Sequence, residues 1–378
     1  MKNVSGVKDM TDKVSKETAK RLKDVGIDME TPQAGTYIYE DDAPIVSDVS
    51  ADRSDDVVIL DMKKALEQYD WLRNYLWTAV DKDKDEYTKA LSEEEVGGYF
   101  MWVKKDAHVD IPIQSCLLIS EKDFKQKVHN VVIVEDGARV NILSGCLTHE
   151  NVHTAEHIGI SEFFVGKHAS LNFTMIHDWS DGAFVRPRTG VFVAEGGHYI
   201  SNYIVLSTVK DLQTSPNVYL KGERSKATMN SLLYGKGQSR LDVGGNAILN
   251  GKHTQAEIIS RSIAIDSSTL IANGRIEGNH PESKAHLECQ GLLLSENATI
   301  HAIPELLARK EGTDLSHEAA VGKISEEEII YLMARGLSEE QARSVIVRGF
   351  LDVKILGLPE SFEKKTKELI DRISVEGD

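Results

Sequence analysis

His317 and Glu318 stand side by side at the start of "SHEAAVGKISEEEIIYLMARGLSEEQARSVIVRGF", and Cys289 lies a short way upstream in "AHLECQGLLL". Imidazole, carboxylate and thiol are nitrogen, oxygen and sulfur donors, a set that suits a transition metal. Each also has a plainer reading. In an extended "HLECQ", Cys289 shares a face with Leu287 and is a small core residue, as free cysteines commonly are. His317 and Glu318 read as a polar loop ahead of a capped helix.

A second constellation is "HENVH", His149 to His153, with His157 four residues on. It matches the H-E-x-x-H of zinc proteases, which works only on a helix, where the i, i+4 spacing puts both imidazoles on one face. Here β-branched Val152 and Thr154 are interleaved, and β-like runs flank the motif on both sides. A loop joining two strands is expected, with Glu150 playing no catalytic part.

The chain has 378 residues, 41% of them hydrophobic, enough to bury a sizeable core. Its formal net charge of −16 argues against a binder of phosphate backbones, because no Lys/Arg stripe is present to release counterions. Nucleic acid and membrane are therefore not expected partners. No apolar run reaches bilayer-spanning length and the N-terminus lacks a signal-peptide pattern, so the cytoplasm is the expected location. Three widely spaced cysteines fit reduced thiols better than a disulfide framework.

Three regions have to position these side chains. Residues 1–97 read as helix and loop: "SKETAKRLKDVG" starts at a Ser15 cap and stops at Gly26, and Met62, Leu66, Tyr69, Leu72 and Leu76 fall at helical spacing. The polar stretch between them, with Pro32 and Pro44, reads as a loop. Over 98–314 the period changes to two, with turns at Asp136-Gly137, Gly166-Lys167, Gly196-Gly197, Gly222-Glu223, Gly251-Lys252 and Glu296-Asn297. The first five recur about every 26–31 residues, the period of stacked strand units. With no helix-length segment between them, a parallel β-helix is favoured over a β-sandwich.

Residues 315–378 read as a helical domain. Ser325 with Glu328 and Ser338 with Gln341 form capping boxes, Gly336 and Gly349 supply stops, and "SFEKKTKELIDRIS" makes a third helix. Ile329, Ile330, Met333, Val345, Ile346 and Phe350 give these helices more apolar surface than they can bury alone, so a partner is expected to dock there.

The stretch from Leu287 to Phe350 resembles the C-terminal core of the SufB/SufD family of iron–sulfur cluster assembly proteins. The resemblance is carried by His317, Glu318, Ala319, Lys323, Ile324, Ser325, Arg335, Gly336, Leu337, Ser338 and Gly349, with "FTMIHDWSDG" and "GKGQSRLD" as further family-like segments. It implies a mainly β protein whose right-handed parallel β-helix core is flanked by N- and C-terminal helical regions. It further implies a scaffold that builds and transfers a nascent cluster, with the C-terminal helices docking a SufC-type ABC ATPase. In the SufB branch a cysteine and a glutamate at the positions of Cys289 and Glu318 are implicated in building the cluster, and His317 adjoins them. Both residues are present here. The SufD branch usually lacks that cysteine, so the chain looks like a SufB-like, archaeal-type short form.

A stable [4Fe–4S] cluster normally takes four thiolates, and this chain has three distant cysteines and no C-x-x-C pair. Such a cluster would need mixed ligands or a second chain, either an identical one or a SufD-like paralogue. Nitrogen and oxygen ligands hold it loosely, which suits transient binding and handover to acceptor apo-proteins. No phosphate-binding G-x-x-x-x-G-K-[ST] occurs, so no nucleotide is expected on this chain and ATP hydrolysis falls to the partner. The alternatives are a SufD-like structural partner without its own cluster and a carbohydrate-active β-helix enzyme.

Overall fold

The computed structural model describes residues 14–95, 97–205 and 207–350. Among the described residues, twenty strands form two long sheets, and nearly all neighbours pair in parallel. One sheet runs β2 (Ala43–Val49), β1 (Gly35–Glu40), β5 (His108–Ile119), β7 (Arg139–Thr148), β9 (Ser170–Asp178), β11 (His198–Val205), β14 (Lys226–Gly235), β16 (Gln255–Ala264), β18 (Lys284–Leu293), β20 (Asp314–Lys323). The facing sheet begins with β3 (Val57–Asp61), β4 (Tyr99–Val103), β6 (Lys125–Val134), β8 (Thr154–Val165) and β10 (Gly182–Val193). It continues through the short β12 (Asp211–Thr214) and β13 (Asn217–Leu220) to β15 (Arg240–Leu249), β17 (Thr269–Gly278) and β19 (Thr299–Ala308). The chain alternates between the sheets, one strand in each per rung, for about eight turns of a parallel β-helix.

Alternation explains the stacking. Along β15 every second residue is buried, and Leu241, Val243, Ala247 and Leu249 meet equivalent residues of the neighbouring rungs in one continuous core. Register between rungs is unbroken from Arg240 through Thr269 to Thr299, so like positions stack on like. The five evenly spaced turns lie along one edge. Glu296-Asn297 belongs to the opposite edge, with the unforeseen turns at Gly237-Gln238 and Asp266-Ser267. Gly137 and Gly196 take positive φ at their turns, where a side chain would be strained.

The supposed loop before Met62 is strand. β1 and β2 form an antiparallel hairpin turned at Asp41, which has positive φ, and β1 then adds in parallel to β5 as the first rung. Pro44 is tolerated because β2 is an edge strand, where a missing N–H breaks no inner ladder. The apolar stripe after it is also broken: α2 (Met62–Gln68) ends at Tyr69, whose φ of −129° is not helical, and a 3-10 turn (Asp70–Asn74) follows. The stripe still packs on the outside of β4 and β6. Ahead of these, α1 (Lys16–Asp24) starts at Ser15, whose Oγ accepts the Thr18 N–H at 3.0 Å.

α3 (Glu86–Ser92) lies on the same outer face as β8. Beyond β20 come α4 (Glu326–Met333) and α5 (Glu339–Phe350). The Ser338–Gln341 box forms, at 2.9 and 3.1 Å, whereas Ser325 makes no side-chain cap. Gly336 takes positive φ as a stop, but α5 runs through Gly349. The proposed helix at 361–374 lies outside the described residues.

Candidate functional site

Cys289 sits in β18, where Ala285, Leu287, Cys289 and Gly291 face inward. Its register partners are Ser260 on β16 and Ala319 on β20. The residue is only 2% exposed. Burial, and then the Glu288 carboxylate next to it, push its thiol up to about 11. At neutral pH it is a thiol, and a metal must expel its proton to bind sulfur.

His317 and Glu318 lie within the last strand rather than in a loop ahead of the helices. His317 pairs with Leu287 and Glu318 with Glu288. In-register residues of parallel strands point the same way, so His317 extends the inward column of Met229, Ile258 and Leu287, beside Cys289. Glu318 joins the outward column. Its neighbour Glu288 is bound to Arg261 at 2.8 Å on that outer face. The fold thus brings Cys289 and His317 to one face and puts Glu318 on the other. Among the described residues, no cluster of three or more His, Cys, Asp or Glu side chains is arranged to hold a metal ion.

β19 and β20 end the two sheets, and nothing described stacks beyond them. Their inward residues are consequently less covered: His317 and Val321 on β20 are exposed, and Ile300, Ala302 and Leu306 on β19 are half-buried. Cys289 is one strand in from this open end.

A narrow cavity of about 70 Å³ runs inside the solenoid and is lined by Cys146, His177, Tyr203, Ser260 and Cys289, among others. Tyr203, Ser231, Ser260 and Cys289 form one register column on successive strands. Ser260 Oγ, Tyr203 Oη and His177 Nε2 are buried with no hydrogen-bond partner. Cys146, read from the sequence only as a reduced thiol, thus opens onto the same interior as Cys289. Cys116 instead faces outward under the N-terminal segment.

The C-terminal helices divide their apolar residues. Ile329 is buried, and Phe350 packs on the outer face of the solenoid with its ring 5.8 Å from the Arg261 guanidinium. Ile346 is half-buried, while Ile330, Met333 and Val345 are 63%, 43% and 47% exposed. Tyr331, not anticipated, joins this exposed patch.

"HENVH" is the loop between β7 and β8. His149 lies 3.7 Å from Glu17, and His157 is buried in β8 with its Nδ1 2.9 Å from Gln126 Oε1. Burial drops His157 to about 4. The histidines share no helical face, and the zinc-protease geometry is absent.

Residues 117–350 match the family model described as SUF system FeS cluster assembly, SufBD core domain. The chain belongs to the SufBD family. A SufBD family iron–sulfur cluster assembly protein of Archaeoglobus fulgidus is 47% identical over 353 residues, 93% of this chain and 94% of the relative. One from Methanothermobacter thermautotrophicus is 43% identical over 363 residues, covering 95% and 88%. A more distant one from Staphylococcus saprophyticus is 29% identical over 327 residues, covering 85% and 69%. For this SufBD protein, the family supports a role in iron–sulfur cluster assembly, and the matched region takes in Cys146, Cys289, His317 and Glu318.

Proposed function

We propose that the chain is a scaffold on which a nascent iron–sulfur cluster, [4Fe–4S] in form, is built and then released to acceptor apo-proteins in the cytoplasm. The observation that carries this reading is Cys289 on the last covered rung, with His317 beside it on an open inward face. One chain supplies too few donors for a cluster, so a second chain stacked on the open end supplies the rest; we take it to be an identical chain. Glu318, at the outer rim of the same edge strand, then serves from the interface rather than from within one subunit. Mixed sulfur, nitrogen and oxygen ligation favours handover over permanent retention.

The exposed patch of Ile330, Tyr331, Met333 and Val345 supports docking of a SufC-type ABC ATPase on α4 and α5. Hydrolysis by that subunit moves the paired chains, and this chain has no catalytic part in it. The family match favours this reading over a carbohydrate-active enzyme. Anaerobic reconstitution with iron and sulfide tests it: the wild-type protein should dimerise and show cluster absorbance. A protein that stays colourless while still binding the ATPase has the SufD-like structural role instead, and one active only with a paralogue is half of a heterodimer.

A further inference from the structure

Far from Cys289, the outer face of the β3-to-β19 sheet carries a groove of about 510 Å³, within the range of small-molecule sites. Its floor is a register column, Ile133 on β6, Phe164 on β8 and Phe192 on β10, continued by Tyr219 on β13. The rings contact edge to face, Phe164 and Phe192 at 5.8 Å between centroids and Phe192 and Tyr219 at 5.3 Å. Tyr75 closes one end, 4.8 Å from Phe164. α2 and the 3-10 turn cover the column up to this point and no further, so the sheet leaves a strip of aromatic wall half-buried.

The charges around the strip are uneven. At one side Glu135 and Asp136 are already engaged, accepting the backbone N–H of Lys105 and of Lys167, each at 2.7 Å. At the other, Lys221 folds its ammonium over Phe192, 3.1 Å from the ring centroid, and has no ion-pair partner among the described residues. A cation resting on a ring for want of a counter-ion is a ready anchor for an acid group.

We propose that this groove binds a planar aromatic monoanion, its ring system packed against the edge-to-face pair Phe164 and Phe192 and its acid group paired with the Lys221 ammonium. Partial burial lowers the Lys221 pKa, the direction expected of a cation short of compensating charge. The strip spans three strands at roughly 4.8 Å spacing, which suits two fused rings. The site is independent of the cluster and of the docking helices.

Calorimetric titration with naphthalene-2-carboxylate tests this directly. Saturable one-site binding is expected, with amide shifts at Gly166 and Ala194, which line the groove. Lys221→Met and Phe192→Ala should each weaken it tenfold or more, 2-naphthylmethanol should bind at least tenfold more weakly, and Lys167→Met should change nothing. The proposal is overturned if the carboxylate fails to bind, if the alcohol binds equally well, or if Lys221→Met binds like the wild type.

Discussion

Cys289 and Glu318 point to opposite faces of one sheet, although they lie on neighbouring strands only one register position apart. Ala319 is the residue that stands beside the thiol, and Glu318 stands beside Glu288. A single subunit therefore presents Cys289 with His317 on one face of the sheet and the Glu318 carboxylate on the other.

Cys289→Ser should abolish cluster retention while leaving the fold intact, since the change is nearly isosteric. Cys116→Ser places a hydroxyl in an apolar cluster, at a cost of about 1–3 kcal/mol in stability, and should leave iron content unchanged. Iron and sulfide analysis after anaerobic purification separates the two, and full iron in Cys289→Ser would remove the assignment.

Ligation at Cys289 should depend on pH because the bound form is the thiolate. Below its pKa of about 11, apparent metal affinity should rise about tenfold per pH unit, measured by competition with a chelator. The same raised pKa makes the folded chain hold its proton where the unfolded thiol, at about 8.5, has lost it. The unfolded state then binds fewer protons, so the contribution is present below about pH 8.5 and falls away as pH rises towards 11. Denaturant midpoints for wild type and Cys289→Ala between pH 8 and 11 should converge; parallel curves would contradict this.

Ile330→Asp with Met333→Asp should prevent co-purification of the ATPase without moving the melting temperature, because exposed sites shift stability by only about 0.5 kcal/mol. Ile329→Asp, at a buried position, should disrupt α4 itself. Deleting residues 325–378 should also abolish docking and leave the solenoid folded. An ATPase that still binds the double variant docks elsewhere.

Glu162 is fully buried: its Oε1 accepts the backbone N–H groups of Ala79 and Val80 at 2.7 and 3.1 Å, and its Oε2 accepts that of Trp77 at 2.6 Å and lies 2.8 Å from His129 Nε2. It fastens the segment after the 3-10 turn to the solenoid. Glu162→Gln replaces an acceptor oxygen by a donor amide facing N–H groups, and should cost about 2–4 kcal/mol. Hydrogen exchange should accelerate at residues 76–82 first; protection unchanged there would show that the loop is held by other contacts.

Much of the molecule was legible in its sequence because its period is local. Alternation of two identifies strand, repeating turns identify rungs, and Ser15, Ser338 and Gly336 mark helix ends by chemistry that acts within a few residues. The hairpin at residues 35–49 was hidden because its polar, proline-bearing edge strand resembles a loop until β5 is there to pair with it. The unused cap at Ser325 and the helix continuing through Gly349 have the same origin: packing against the solenoid overrode a local preference.

The candidate donors, Cys289, His317 and Glu318, were singled out by residue type, neighbourhood and family resemblance. Their facing was not. Only the stacking of β18 on β20 decides that His317 lies with the thiol and Glu318 away from it, because a shift of one residue in register reverses every side chain on a strand. The common interior of Cys146 and Cys289, and the uncovered aromatic strip beyond Tyr75, likewise exist only once rungs distant in sequence are laid side by side.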